Sequence, residues 1–236
     1  MSAAPVGYRP VATYDEVVRG EFIVRVYQHL AAAVIAFVLF EALLINLGVA
    51  EGLYNFLAGS SAGWLLILGG FMVVSWLATS AAHDILNPSR QYLGLFGMAA
   101  AEAVIFAPFL YLFFSVLEDG TTTVLAAALI TGVGFAGLTA VAFVTRRDLS
   151  FLRPLVMWGL ISSLVLIVAA VLFGLSLGIW FSVAMIALAG ASILYQTQTI
   201  LRRYPAEAYV GAALQLFGSV MLLFWYVLRL LGQIRN

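Results

Sequence analysis

Residues 154–200 read PLVMWGLISSLVLIVAAVLFGLSLGIWFSVAMIALAGASILYQTQTI, 47 positions without one charged side chain. About 20 apolar residues cross the hydrocarbon core of a bilayer as a helix. One straight helix over this stretch, rising 1.5 Å per residue, would be about twice too long. The stretch therefore reads as two spans folded back at Gly174–Gly178. Scanning outward with the same length adds five more. The seven spans are 22–47, 61–81, 91–117, 122–145, 154–174, 177–200 and 208–231. The expected fold class is all-α: a polytopic membrane protein of seven transmembrane helices, with a polar N-terminal tail over 1–21 and a single transmembrane domain over 22–236.

Composition leads to the same class. Of 236 residues, 64% are hydrophobic and 9% charged, and mean hydropathy is +1.08. An ordinary soluble domain carries roughly 25% charged residues. This excludes a water-soluble enzyme, a nucleic-acid binder and a disordered regulator. All eleven basic residues are Arg, matched by eleven acids, so there is no positive excess to neutralise phosphates. The absence of Cys excludes disulfides, thiol catalysis and thiolate metal sites. The apolar run that begins at Phe22 is too long for the core of a cleavable signal peptide.

Arginine placement tests the count of spans. Seven spans put Arg9, Arg19, Arg25, Arg90, Arg146, Arg147, Arg153, Arg202 and Arg203 on one side, and Arg229 and Arg235 on the other. Cytoplasmic loops are the ones enriched in Lys and Arg. The expected orientation is a cytoplasmic N-terminus and an external C-terminus. Gly132, Ala136 and Ala140 make a small-residue row on the fourth span, and Gly211 and Gly218 share a face of the seventh. Such rows let helix backbones approach.

Three segments are more specific. Phe22-Ile-Val-Arg-Val-Tyr-Gln-His-Leu30 opens the first span. Residues 128–152 read ALITGVGFAGLTAVAFVTRRDLSFL. The third segment joins ILYQTQTI (193–200), YVGAALQLF (209–217) and LFWYVLRLLG (223–232). Together they resemble the Bax inhibitor-1 family, also called transmembrane BAX inhibitor motif proteins, in its bacterial YccA-like branch. The resemblance implies a seven-helix fold with the last helix central, in the bacterial inner membrane. It implies a calcium leak pathway sensitive to protons, tied to ion homeostasis and stress response. The alternative it implies is a non-conducting modulator of a membrane-anchored AAA protease. The family pattern sets an Asp after Leu-Tyr in the sixth span and another two turns into the seventh. Here those positions read as Gln196 and Gly218, so the paired-carboxylate pH latch is lost.

Ionisable groups at membrane depth are site candidates by default. Glu102 lies midway along the third span, six residues before Pro108, whose missing N–H frees a carbonyl. Glu41 lies towards the outer end of the first span and reads either as part of an ion path or as a carboxylate reaching back to the interface. Gln196 belongs to a polar stripe with Ser192 and Thr199, and Gln215 lies on the small face of the seventh span. These two amides could face each other along a polar path. The expected ion-pathway residues are thus Glu102, Glu41, Gln196 and Gln215, with lipid, calcium and protons as partners, and no enzyme activity, cofactor, metal centre or nucleic acid. Gly59-Ser-Ser-Ala-Gly63 matches a hydrolase elbow and Gly132-Val-Gly-Phe-Ala-Gly137 a dinucleotide loop, but neither follows a strand. His29 and His83 make too small a set for a metal.

The arginine split predicts that a reporter fused at the N-terminus reads as cytoplasmic and one fused after Asn236 reads as periplasmic. Both termini on one side would overturn the seven-span count.

Overall fold

The computed structural model describes residues 9–59, 61–145 and 147–235. Residues 1–8 of the tail, Ser60 of the elbow match, Arg146 of the arginine count and the terminal Asn236 lie outside the described residues. Eight α-helices are found among the described residues: α1 Glu16–Asn46, α2 Val49–Ala58, α3 Ser61–Ala82, α4 Pro88–Tyr111, α5 Gly120–Val144, α6 Leu152–Phe173, α7 Ile179–Arg203 and α8 Tyr209–Arg235. Seven of them are long and apolar enough to cross a bilayer, all but α2. Gly174 ends α6 in the left-handed conformation (φ 65°), and α7 starts after Gly178, so the uncharged stretch folds back where its length required.

Three sequence expectations are corrected. The described part of the tail, residues 9–21, is not separate from the bundle. Asp15 caps α1 by accepting from the Val18 N–H at 2.9 Å, so the helix runs from Glu16. Val11 is buried, and its N–H donates to the Tyr204 carbonyl at 2.7 Å. The outer connection after α1 contains α2, ten residues held on α4 by Ala50 and Leu57. A helix of that length is too short for a span-length scan to detect. Finally, Gly132, Ala136 and Ala140 are exposed on the outside of α5. The inward face of that helix carries Val124, Ala127 and Thr131 instead.

The last helix is enclosed. The other six spans form a ring in the order α1, α4, α3, α6, α7, α5, closed where the Tyr27 ring of α1 meets Phe135 and Phe143 of α5. Inside it, α8 packs on α1, α3, α4, α5 and α7. Within its spanning window 72% of α8 is buried, against 56% for α4 and 11–28% for the others. Val210, Ala212, Ala213, Leu214, Leu216 and Phe217 are all buried, which requires neighbours on every face. Phe106 of α4 stacks on Phe224 of α8 and meets Trp225 edge-on.

The arginine-bearing connections gather at one end of the bundle. The N-terminal segment and the α3–α4 connection both reach Tyr204, through Val11 and His83. The α5–α6 connection is clamped to α7 by Gln198. Arg229, at the opposite end, donates to the Leu177 carbonyl of the α6–α7 connection.

Close approach at the first of these ends is set by Gly94 of α4. A Cβ there would stand 2.5 Å from the Ala78 carbonyl oxygen and 2.6 Å from the Ala82 nitrogen, both backbone atoms of α3. Gly97, one turn on, has open space. Gly94→Ala is expected to destabilise the protein by about 1–3 kcal/mol through overpacking. Gly97→Ala should be neutral or slightly stabilising through helix propensity. Thermal unfolding in detergent separates the two, and equal midpoints would contradict the α3–α4 packing.

Candidate functional site

Both intramembrane carboxyls lie on core-facing stripes. On α1 the buried positions are Phe22, Val26, Leu30, Ala33, Phe37 and Glu41, a helical repeat that carries Glu41 inward with the aromatics. Glu41 is 4% exposed, and neither carboxyl oxygen has a hydrogen-bond partner among the described residues. The reading of Glu41 as a carboxylate reaching for the interface is therefore corrected. The α1 register points it at protein. Glu102 is 7% exposed and continues the α4 stripe of Leu95, Met98, Ala99, Ala103 and Phe106. Pro108 stays within the helix, and a π-helical turn follows at Leu112–Val116, closed by Leu117 N–H on the Leu112 carbonyl.

The structure does not bring the two carboxyls together. The helices α1 and α4 run in parallel, since His29 meets Tyr92 and, further along both chains, Phe37 meets Phe106 edge-on at 5.3 Å. Glu41 is one turn beyond Phe37, and Glu102 is one turn short of Phe106. The carboxyls thus stand at levels roughly 11 Å apart along the axes, with the aromatic pair between them. Calcium favours about six to eight oxygens with several carboxylates. Among the described residues no group of three His, Cys, Asp or Glu is placed to hold a metal.

Gln196 of α7 is half-buried and does reach α8, but at a different residue from the one expected. The Ser219 hydroxyl donates to Gln196 Oε1 at 2.9 Å. Ser219 follows Gly218 directly and lies one turn beyond Gln215. The residue that meets Gln196 across the helices is thus Ser219 and not Gly218. Gly218 has open space where a Cβ would stand. Gln215 is half-buried on α8, and the bond that Gln196 makes across the helices passes it by. The contact between α7 and α8 at this level is a neutral amide–hydroxyl pair.

Gln198, two residues on, was not singled out from the sequence. It is buried, accepts from the Leu149 N–H at 2.6 Å and donates to the Arg147 carbonyl at 2.7 Å. The specific run 145–152 thus has a structural role. Its backbone is stapled to α7 by one amide, with Arg202 at 3.9 Å from Asp148. The Ser150 N–H donating to Asp148 at 2.9 Å holds that exposed carboxyl below its ordinary range. Arg90 lies in the first turn of α4, ion-paired with Asp84 at 2.9 Å.

The two histidines occupy separate sites near the same end. His29 Nδ1 faces the Arg25 carbonyl at 2.7 Å and His83 Nδ1 faces the Thr79 carbonyl at 2.8 Å. A carbonyl only accepts, so each Nδ1 carries the hydrogen and each Nε2 accepts from a tyrosine, Tyr92 at 3.1 Å and Tyr204 at 3.3 Å.

Comparison with known proteins adds the following. Residues 19–236 match the protein family described as "Inhibitor of apoptosis-promoting Bax1". An uncharacterized protein of Pseudomonas aeruginosa is 26% identical over 168 residues, 71% of this chain and 73% of the relative. An uncharacterized membrane protein of Vibrio cholerae is 28% identical over 131 residues, 52% of this chain and 56% of that protein.

The Gln196–Ser219 contact predicts the outcome of restoring acids. In Gln196→Asp with Ser219→Asp, two carboxyls at hydrogen-bond distance share a proton, which the folded state holds to higher pH than the unfolded chain. The stability conferred is present at low pH and lost as pH rises. The melting temperature relative to wild type should fall between about pH 5 and pH 8. Gln196→Asp with Gly218→Asp should lack that slope. Equal slopes in the two pairs would contradict the assignment of Ser219.

Proposed function

The chain belongs to the family of inhibitors of apoptosis-promoting Bax1, and from that premise we propose that it is a cation leak pathway of the bacterial inner membrane, taking part in ion homeostasis. The arginine-rich end of the bundle faces the cytoplasm in this reading, which rests on the enrichment of cytoplasmic loops in arginine. The observation that carries the proposal is Glu41, a carboxyl at membrane depth with both oxygens buried and unpartnered. Placing a charged side chain at the centre of a span costs roughly 2.5–3.5 kcal/mol on insertion scales. A carboxyl held there without a protein donor suits a group that exchanges a proton or a cation. Glu102 supports the reading from α4 at a second level.

The spacing of the two carboxyls favours passage over storage. Each level offers one acid, so calcium would be held weakly and released. The neutral Gln196–Ser219 pair bears on gating. An amide and a hydroxyl do not titrate in the physiological range, so proton sensitivity falls to Glu41 and Glu102.

The test is calcium flux into proteoliposomes at neutral pH. Gln keeps the size and hydrogen bonding of the protonated acid, so Glu41→Gln and Glu102→Gln should insert and melt like wild type. Each should lower the flux at least several-fold. Normal expression with unchanged flux in both would defeat the leak reading and put the non-conducting modulator of a membrane-anchored AAA protease ahead.

A further inference from the structure

Hydroxyls inside a spanning helix ordinarily donate to a carbonyl one turn back. Among the described residues Thr123 donates to the Asp119 carbonyl at 3.0 Å and Ser163 to the Leu160 carbonyl at 2.9 Å. Four buried hydroxyls make no such bond. Thr131 and Thr139 on α5 and Ser192 and Thr197 on α7 have buried hydroxyl oxygens without a hydrogen-bond partner among the described residues. The phenol oxygen of Tyr27 on α1 is in the same condition. Thr131, Ser192 and Thr197 are 4%, 2% and 2% exposed.

Three of these groups meet. The helices α5 and α7 pack on each other, and Tyr27 reaches the pair from α1, where its phenol comes close to the hydroxyls of Thr139 and Thr197, though not to full hydrogen-bond geometry. Thr131 and Thr139 are eight residues apart, about 12 Å along α5, and Ser192 and Thr197 span about 7.5 Å of α7. Gln196 and Ser219 continue the polar line onto α8. A buried hydroxyl left unmet is costly because its lost hydration is not repaid, so groups of this kind on three neighbouring helices call for compensation.

We infer that the α5–α7 seam, closed by Tyr27, is an internal hydration site: a short file of bound water that bridges the hydroxyls of Tyr27, Thr131, Thr139, Ser192 and Thr197. Water fits the donor set better than a metal does. Every group is neutral and both donates and accepts, a buried water makes about three such bonds, and these five residues include no carboxylate to hold a divalent cation. The site is distinct in composition from the α1 and α4 carboxyls and does not depend on the leak reading.

The sign of an isosteric substitution tests it. Thr139→Val and Thr197→Val keep the shape and remove the hydroxyl. At a hydrated site each should lower the melting temperature by about 2–4 °C, and the double variant should lose less than the sum, because both bind the same water. At a dry site removing an unmet hydroxyl should leave the midpoint unchanged or raise it, which would overturn the inference. X-ray radiolytic labelling of wild type provides the second reading, since radicals form on bound water beside the side chain they modify. Tyr27 should be labelled well above tyrosines of similar exposure, and an unlabelled Tyr27 would overturn the inference even if a variant failed to fold. Glu102→Gln should leave both readings unchanged, so the outcome is separable from that of the flux experiment.

Discussion

Enclosure of α8 is the constraint on which the rest of the structure depends. Lipid tails are as apolar as leucine, so no hydrophobic drive gathers spanning helices, and association rests on close packing and on bonds between polar groups. A helix with neighbours all round must be approached closely on several faces. At its first turn Gly211 lets the Ala82 carbonyl and the His83 ring come within about 3 Å of where a Cβ would stand. Further along, Phe106 and Phe109 of α4 fill the space around Phe224 and Trp225. Three polar side chains of α8 take protein partners: Ser219 bonds Gln196, and Arg229 and Gln233 bond the Leu177 carbonyl.

The ends of the bundle are held by polar bonds to connections. Tyr204 joins three elements, accepting from the Val11 N–H through its carbonyl and donating from its hydroxyl to His83. Gln198 pins the α5–α6 connection, and Gln91 donates to the Asp84 carbonyl to pin the α3–α4 connection. The glutamine bonds leave from helices and end on loop backbone, which would otherwise carry unmet groups at the membrane surface.

Within the bundle, polarity is divided between carboxyls on α1 and α4 and hydroxyls on α5 and α7, with Tyr27 of α1 reaching the second set. The amide–hydroxyl pair of Gln196 and Ser219 bonds α7 to α8 without charge, so this contact does not depend on pH.

Much of the fold was legible in the sequence because bilayer thickness sets a length that apolar runs must meet. The 47 uncharged residues had to fold back, and Gly174 is where they do. Glu102 was legible as a mid-span acid for the same reason. Direction around a helix was less so. Lipid and protein interior are both apolar, and in spans this hydrophobic the pattern distinguishes them weakly. Hence Gly132, Ala136 and Ala140 read as a contact face and lie outside, while Glu41 left both an inward and an interfacial reading open and is buried. The sequence by itself determined seven spans and the point where the uncharged stretch folds back. Only the tertiary structure decided that Ser219 rather than Gly218 meets Gln196, that Gln198 staples a connection, and that Tyr27 meets Thr139 and Thr197. Those relations depend on the rotation of one helix against another, which is set by packing between distant segments and leaves no periodic signal in either segment alone.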